Sequence, residues 1–168
     1  NYLLVGDSHA AHLWLGLSSA MPDVNVMQAT ASACRPAVVP VSRLDTRACP
    51  QLMQYVFNDF LATNKVDKVI LSASWKDEDI PGLIETLDTL RSRGLDVTVL
   101  GPIVEYDGAL PRLLADGILR NKPVAQGMRT SGIRERDRAM REVVISKGAS
   151  YLSVYDSVCG GGRCDEFA

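Results

Sequence analysis

The sequence predicts an α/β fold in three layers (α/β/α), with a five-stranded, mostly parallel sheet between two layers of helices. Three observations carry this expectation. Short apolar runs alternate with stretches of helical periodicity at the spacing of βαβ units. Glycines follow basic residues where the helices should stop. The composition over 168 residues, 46% hydrophobic and 23% charged, is that of an ordinary globular domain with a sizeable core.

The first strand is Tyr2 to Val5, followed by Gly6-Asp7-Ser8 and a helix whose apolar face is Ala10, Leu13, Trp14 and Leu17. A second strand covers Val24 to Gln28. The stretch Thr30 to Ala48 is irregular and long for this fold. Met53, Val56, Phe57 and Phe60 share the face of the next helix, which leads to a third strand, Lys68 to Ser72. Ile80, Leu83, Ile84 and Leu87 mark the following helix, stopped at Gly94, and a fourth strand runs from Asp96 to Leu100. A second long irregular stretch, Gly101 to Ser131, precedes a charged helix over Ile133 to Lys147. Gly148 stops that helix, and Ser150 to Val154 is the last strand. With no internal repeat or low-complexity segment, residues 1–168 read as one domain.

The net charge of −2 and pI near 5.7 leave no basic footprint for nucleic acid. No apolar run approaches the ~18 residues of a membrane span. The chain opens inside a strand, so it reads as part of a longer protein. Its four cysteines allow three pairings. Neighbour pairing, Cys34 with Cys49 and Cys159 with Cys164, is the simplest, because each pair closes a stretch with few strand or helix signals. Zinc is the alternative, with Cys159 and Cys164 as two ligands, but the histidines lie elsewhere and no metal site is expected. Disulfides would place the domain outside the cytoplasm.

Ser8 stands where a buried strand should turn into a helix, the crevice where open α/β sheets bind ligands. Backbone N–H groups at the helix start would face that crevice, ready to stabilise an oxyanion. Ser8 is therefore a candidate nucleophile; the simpler alternative is that it merely caps the helix.

Strand–Gly6-Asp7-Ser8-His9 near the start of an α/β domain resembles the first block of the SGNH (GDSL-type) hydrolases, whose architecture is flavodoxin-like. The segments "VGDSHAAHL", "SACRPA", "GPIVEYDGALPRLL" and "YDSVCGGGRC" together resemble the SGNH domain of acyltransferase-3 proteins, which O-acylate bacterial surface glycans. The resemblance implies a periplasmic domain of an inner-membrane protein, with no cofactor. A fused membrane domain would deliver the acyl group, acetyl by family resemblance, to a polysaccharide acceptor. It also implies an oxyanion hole from the Ser8 N–H, a second-block N–H that falls on Ala33, and a third-block donor. Trp75 occupies the place of the family's asparagine, and reads as a donor, a sugar-stacking wall or a core residue.

The family's base comes from an Asp-x-x-His motif, and a serine needs such a base to attack. This sequence has no Asp-x-x-His, so the catalytic aspartate and histidine are expected outside it. His12, one helical turn after Ser8, is a weaker substitute, and His9 belongs to the family's first block. Two rival functions remain open: a free-standing carbohydrate or lipid esterase, and a non-catalytic glycan-binding domain. Arg112, Arg120, Lys122 and Arg129 read either as a rim for an anionic glycan or membrane, or as ordinary solvated loop charges. The run "RERDRAMRE" reads as a solvated helix face.

Overall fold

A computed structural model describes residues 1–39, 48–160 and 163–165. Five parallel strands form one sheet in the order β2-β1-β3-β4-β5: β1 (Tyr2–Gly6), β2 (Val26–Thr30), β3 (Lys68–Ser72), β4 (Asp96–Leu100) and β5 (Ser150–Leu152). The register is level at the C-terminal edge. Gly6 lies beside Thr30 on one side and Ser72 on the other, and Ser72 lies beside Leu100. The chain leaves β1 towards one edge of the sheet and later returns to build the other edge, so the β1/β3 boundary is a topological switch point.

Strand side chains alternate between faces. Leu3, Val5, Val69, Leu71, Val97 and Val99 point into the larger core. There they meet Met53, Val56 and Phe57, Leu83, Leu87 and Leu90 of α4 (Ile80–Ser92), and Met140 and Val144 of α7 (Ile133–Ser146). The first of these groups belongs to a continuous helical segment: α2 (Ala48–Gln54), a π-helical stretch (Tyr55–Phe60) and α3 (Leu61–Thr63). Leu4, Ile70 and Leu100 face the other way, onto Ala10, Leu13 and Leu17 of α1 (Ser8–Ala20) and Val154 of α8 (Val154–Val158).

The predicted elements are all present, with shifted ends. Strand β2 begins two residues later than its apolar run, because Val24 donates its N–H to the Met21 carbonyl in a turn (3.0 Å). Strand β5 stops at Leu152, since the Ser153 hydroxyl accepts from the Asp156 N–H and starts α8. Gly94 and Gly148 follow α4 and α7 with φ of +76° and +71°, the left-handed geometry of helix stops.

Two expectations are corrected. The stretch Gly101 to Ser131 is not irregular throughout: it holds α5 (Leu110–Arg120), with Pro111 in its first turn, and α6 (Val124–Gly127). The face of α7 is not simply solvated. Asp137 is buried, accepting from the Tyr151 hydroxyl (2.7 Å) and the Ser153 hydroxyl (2.9 Å), which fastens α7 to β5. Burial and the Asp137 carboxylate push the Tyr151 hydroxyl's pKa upward. Residues 40–47 of the first long stretch and residues 161–162 of the glycine run lie outside the described residues.

Both neighbour pairs of cysteines are disulfides, Cys34–Cys49 and Cys159–Cys164, so these sulfurs are not available to zinc. Chain-entropy reasoning makes the longer closure the more stabilising one, at ~3 kcal/mol against ~2 kcal/mol. Urea unfolding should show Cys34→Ser/Cys49→Ser losing more stability than Cys159→Ser/Cys164→Ser. Equal losses would mean that loop closure is not what these bridges contribute.

Candidate active site

Gly6 has φ of +156°, and a Cβ there would sit 1.7 Å from the Ser72 carbonyl oxygen, so only glycine fits the exit from β1. Asp7 follows with 1% exposure and serves as the N-cap of α1, its Oδ1 accepting from the His9 N–H (2.8 Å). Ser8 is thus the first helical residue rather than the cap, and its side chain is exposed. The capping alternative is corrected: Asp7 caps, which leaves the Ser8 hydroxyl outside that task. First-turn N–H groups lack helical partners, and the Asp7 carboxylate satisfies that of His9.

Beyond β2, the Cys34 N–H donates to the Ala31 carbonyl (3.1 Å), closing a turn. Ala33 sits within it at φ +54°, a left-handed conformation costing an L residue roughly 1 kcal/mol or more. This is the position at which the resemblance expects glycine. The turn is tied to β1 by the Ala31 N–H on the Gly6 carbonyl (3.2 Å), and its Cys34 is buried.

Beyond β3, the Ser74 N–H donates to Asp7 Oδ2 (3.0 Å). Trp75 is 2% exposed and gives its indole N–H to the Leu100 carbonyl (2.8 Å). With its donor spent and its ring packed in the larger core, Trp75 neither donates to an oxyanion nor stacks on sugar; both of those expectations are corrected. Glu105, after β4, accepts from the Ser74 hydroxyl (3.2 Å) and pairs with Lys76 Nζ (3.2 Å).

Arg35 is the residue that sequence reasoning missed. It is 5% exposed and ion-paired through Nη1 to Asp7 Oδ2 and through Nε to Asp79 Oδ2 (2.8 Å). Asp79 also accepts the Lys76 N–H (2.7 Å). The "SACRPA" segment points to this turn, but a lone arginine carries no periodic or motif signal for burial.

The two histidines stand edge to face on α1, ring centroids 5.9 Å apart. They border a narrow cleft with Gly101, Ile103 and Val154. Among the described residues no hydrogen bond joins either imidazole ring to Ser8 or to a carboxylate side chain. Burial holds the His9 pKa below the usual imidazole value, against the opposing pull of Asp7 and Glu105. Arg112, Arg120 and Lys122 lie on or just after α5, with Arg120 paired to Asp116 (2.7 Å). Arg129 follows α6 and donates to Cys164 Sγ (3.2 Å).

A parallel sheet in this strand order, with an exposed serine on the crest after its first strand, defines an α/β domain of the SGNH hydrolase fold. More particularly, the chain belongs to the family of SGNH domains fused to AT3 domains, which matches residues 1–167. The periplasmic domain of a lipopolysaccharide acetyltransferase from Salmonella ser. Paratyphi A superposes with a TM-score of 0.82 at 22% identity, covering 98% of this chain and 69% of that one. A putative acylhydrolase from Bacteroides fragilis superposes at 0.58 with 7% identity, covering 96% and 71%. No curated protein matches the chain.

Two outcomes follow from this geometry. In NMR titration His9 should protonate with a midpoint below 6.5, and stability should fall as pH drops from 6.5 towards that midpoint, because the unfolded state takes up the proton first. A His9 midpoint at or above 6.5 would contradict its burial. Trp75→Phe keeps an aromatic ring but strands the buried Leu100 carbonyl, so it should lose about 1–3 kcal/mol in urea unfolding. An unchanged unfolding midpoint would mean that the indole hydrogen bond contributes nothing.

Proposed function

We propose that this domain carries out extracytoplasmic O-acyl transfer, acetyl being the favoured group, to a hydroxyl of a bacterial surface polysaccharide, with Ser8 as the nucleophile. The observation that carries the reading is the division between Asp7 and Ser8. The buried aspartate takes the helix cap, and the adjacent serine is left exposed at the switch point. Membership of a family fused to AT3 domains supports a membrane partner that supplies the acyl group. The two disulfides fit an oxidising compartment.

In this mechanism Ser8 Oγ attacks the acyl carbonyl carbon while a general base takes its proton. The N–H groups of Ser8 and Ala33 stabilise the resulting oxyanion, each such donor being worth about 10²–10³-fold in rate. The intermediate collapses to an acyl-serine as the donor's leaving group departs with the proton. The acceptor hydroxyl then attacks the acyl-serine, its proton passing to the same base, which hands it to Ser8 Oγ as the acyl–Oγ bond breaks and the hydroxyl is regenerated. We place that base on an Asp-x-x-His pair outside residues 1–168, as the family resemblance implies.

In the full-length protein, Ser8→Ala should abolish hydrolysis of p-nitrophenyl acetate and acetyl transfer without altering the circular dichroism spectrum. Residues 1–168 alone should be slower than the full-length protein by the ~10²–10⁴-fold that a general base supplies. Retained activity in Ser8→Ala would remove the nucleophile assignment and favour the binding-domain alternative. Full activity of residues 1–168 that is lost in His12→Ala would move the base to His12.

A further inference from the structure

We propose that Arg35 is a positioning residue for acyl transfer, setting the separation between Ser8 and the Ala33 N–H. This inference rests on the reading of Ser8 as nucleophile. Arg35 is buried, yet it touches the supports of the loops after β1, β2 and β3. Its Nη1 holds Asp7, the immediate neighbour of Ser8, and its Nε holds Asp79, which fixes the loop after β3 through the Lys76 N–H. Its own backbone lies two residues beyond Ala33 and next to Cys34, which the disulfide to Cys49 anchors.

The chemistry of the guanidinium decides why arginine stands here. Its N–H donors lie in one rigid plane, so two bonds through different nitrogens fix both the distance and the angle between the carboxylates. A lysine ammonium is a single point of charge on a flexible stem and cannot impose that relation. Asp7 is held from three sides, by the His9 and Ser74 N–H groups and by Arg35. Only the Arg35 contact comes from the turn that carries Ala33. Sliding at that contact would change the gap between Ser8 and the Ala33 N–H, the two ends of the proposed oxyanion pocket. Displacement of about 1 Å at a reacting centre can cost ~10²-fold in rate.

The test uses the full-length protein with p-nitrophenyl acetate, comparing Arg35→Lys, Asp79→Asn and Ser8→Ala with the parent. Arg35→Lys keeps the buried positive charge, and Asp79→Asn keeps a hydrogen-bond acceptor of the same shape, so two routes probe one bridge. Both should lower kcat, Arg35→Lys by about 10-fold or more and Asp79→Asn by less, while KM stays within about twofold of the parent. A merely structural role predicts lower melting temperatures with the kcat of the folded protein unchanged, and that result in both variants would overturn the inference. If Ser8→Ala is inactive but both bridge variants keep full kcat, the positioning role alone fails. If Ser8→Ala stays active, the nucleophile reading fails and the positioning role falls with it.

Discussion

A carboxylate almost closed off from solvent holds the working edge of this sheet together. Burying the charge of Asp7 would be prohibitive unless every face of it were paired and hydrogen-bonded. Its partners come from three different places: the His9 N–H from its own helix, the Ser74 N–H from the loop after β3, and Arg35 from the turn after β2. The three strands that feed these loops are neighbours with level ends, so the loops can converge on one oxygen pair. Removing one member of such a buried pair typically costs about 3–5 kcal/mol, which makes the charge a fastening as well as a cap.

That convergence depends on the parity of the strands. Helix α1 returns along the thin face, packed on Leu4 and Ile70, whereas α4 returns along the thick one, packed on the layer containing Val69 and Leu71. The helices that follow β1 and β3 therefore leave the joined loops towards opposite faces, and Ser8 stays exposed at the start of α1. The requirement for glycine at Gly6 is the local counterpart. β1 and β3 approach so closely at their ends that the Ser72 carbonyl fills the space of a Cβ.

Much of this fold can be read from residue pattern because burial here follows simple periods. Leu3, Val5, Val69, Leu71, Val97 and Val99 are buried on one face, and Leu83, Leu87 and Leu90 recur at helical spacing against it. The long stretch after β4 reads as irregular because α5 contains no buried residue. Its Ile118 and Leu119 are exposed, so apolar pattern and core position are uncoupled there. The β2 and β5 boundaries move for local reasons, a turn at Met21 and a cap at Ser153, which short apolar runs do not encode. At the candidate site, Ser8 and Ala33 can be found from motif position. Arg35 and Asp79 cannot, because their pairing spans 44 residues and joins two loops with no shared period.

The fate of the two positions that depart from the family pattern follows from which kind of atom each block offers. A second-block glycine offers a backbone N–H, and that group survives replacement by alanine provided the backbone keeps its left-handed turn, as Ala33 does at φ +54°. The third-block asparagine offers a side-chain amide, and a tryptophan cannot inherit that role here. Its ring is drawn into the core, where its N–H meets the Leu100 carbonyl at the end of β4. On the proposed mechanism, the oxyanion pocket from these residues rests on backbone donors alone. Backbone donors cannot be re-aimed by a rotamer change, so their alignment depends entirely on how the loops are held. A pocket built this way places its demand for precision on Asp7, Arg35 and the Cys34–Cys49 bridge, none of which needs to touch the substrate.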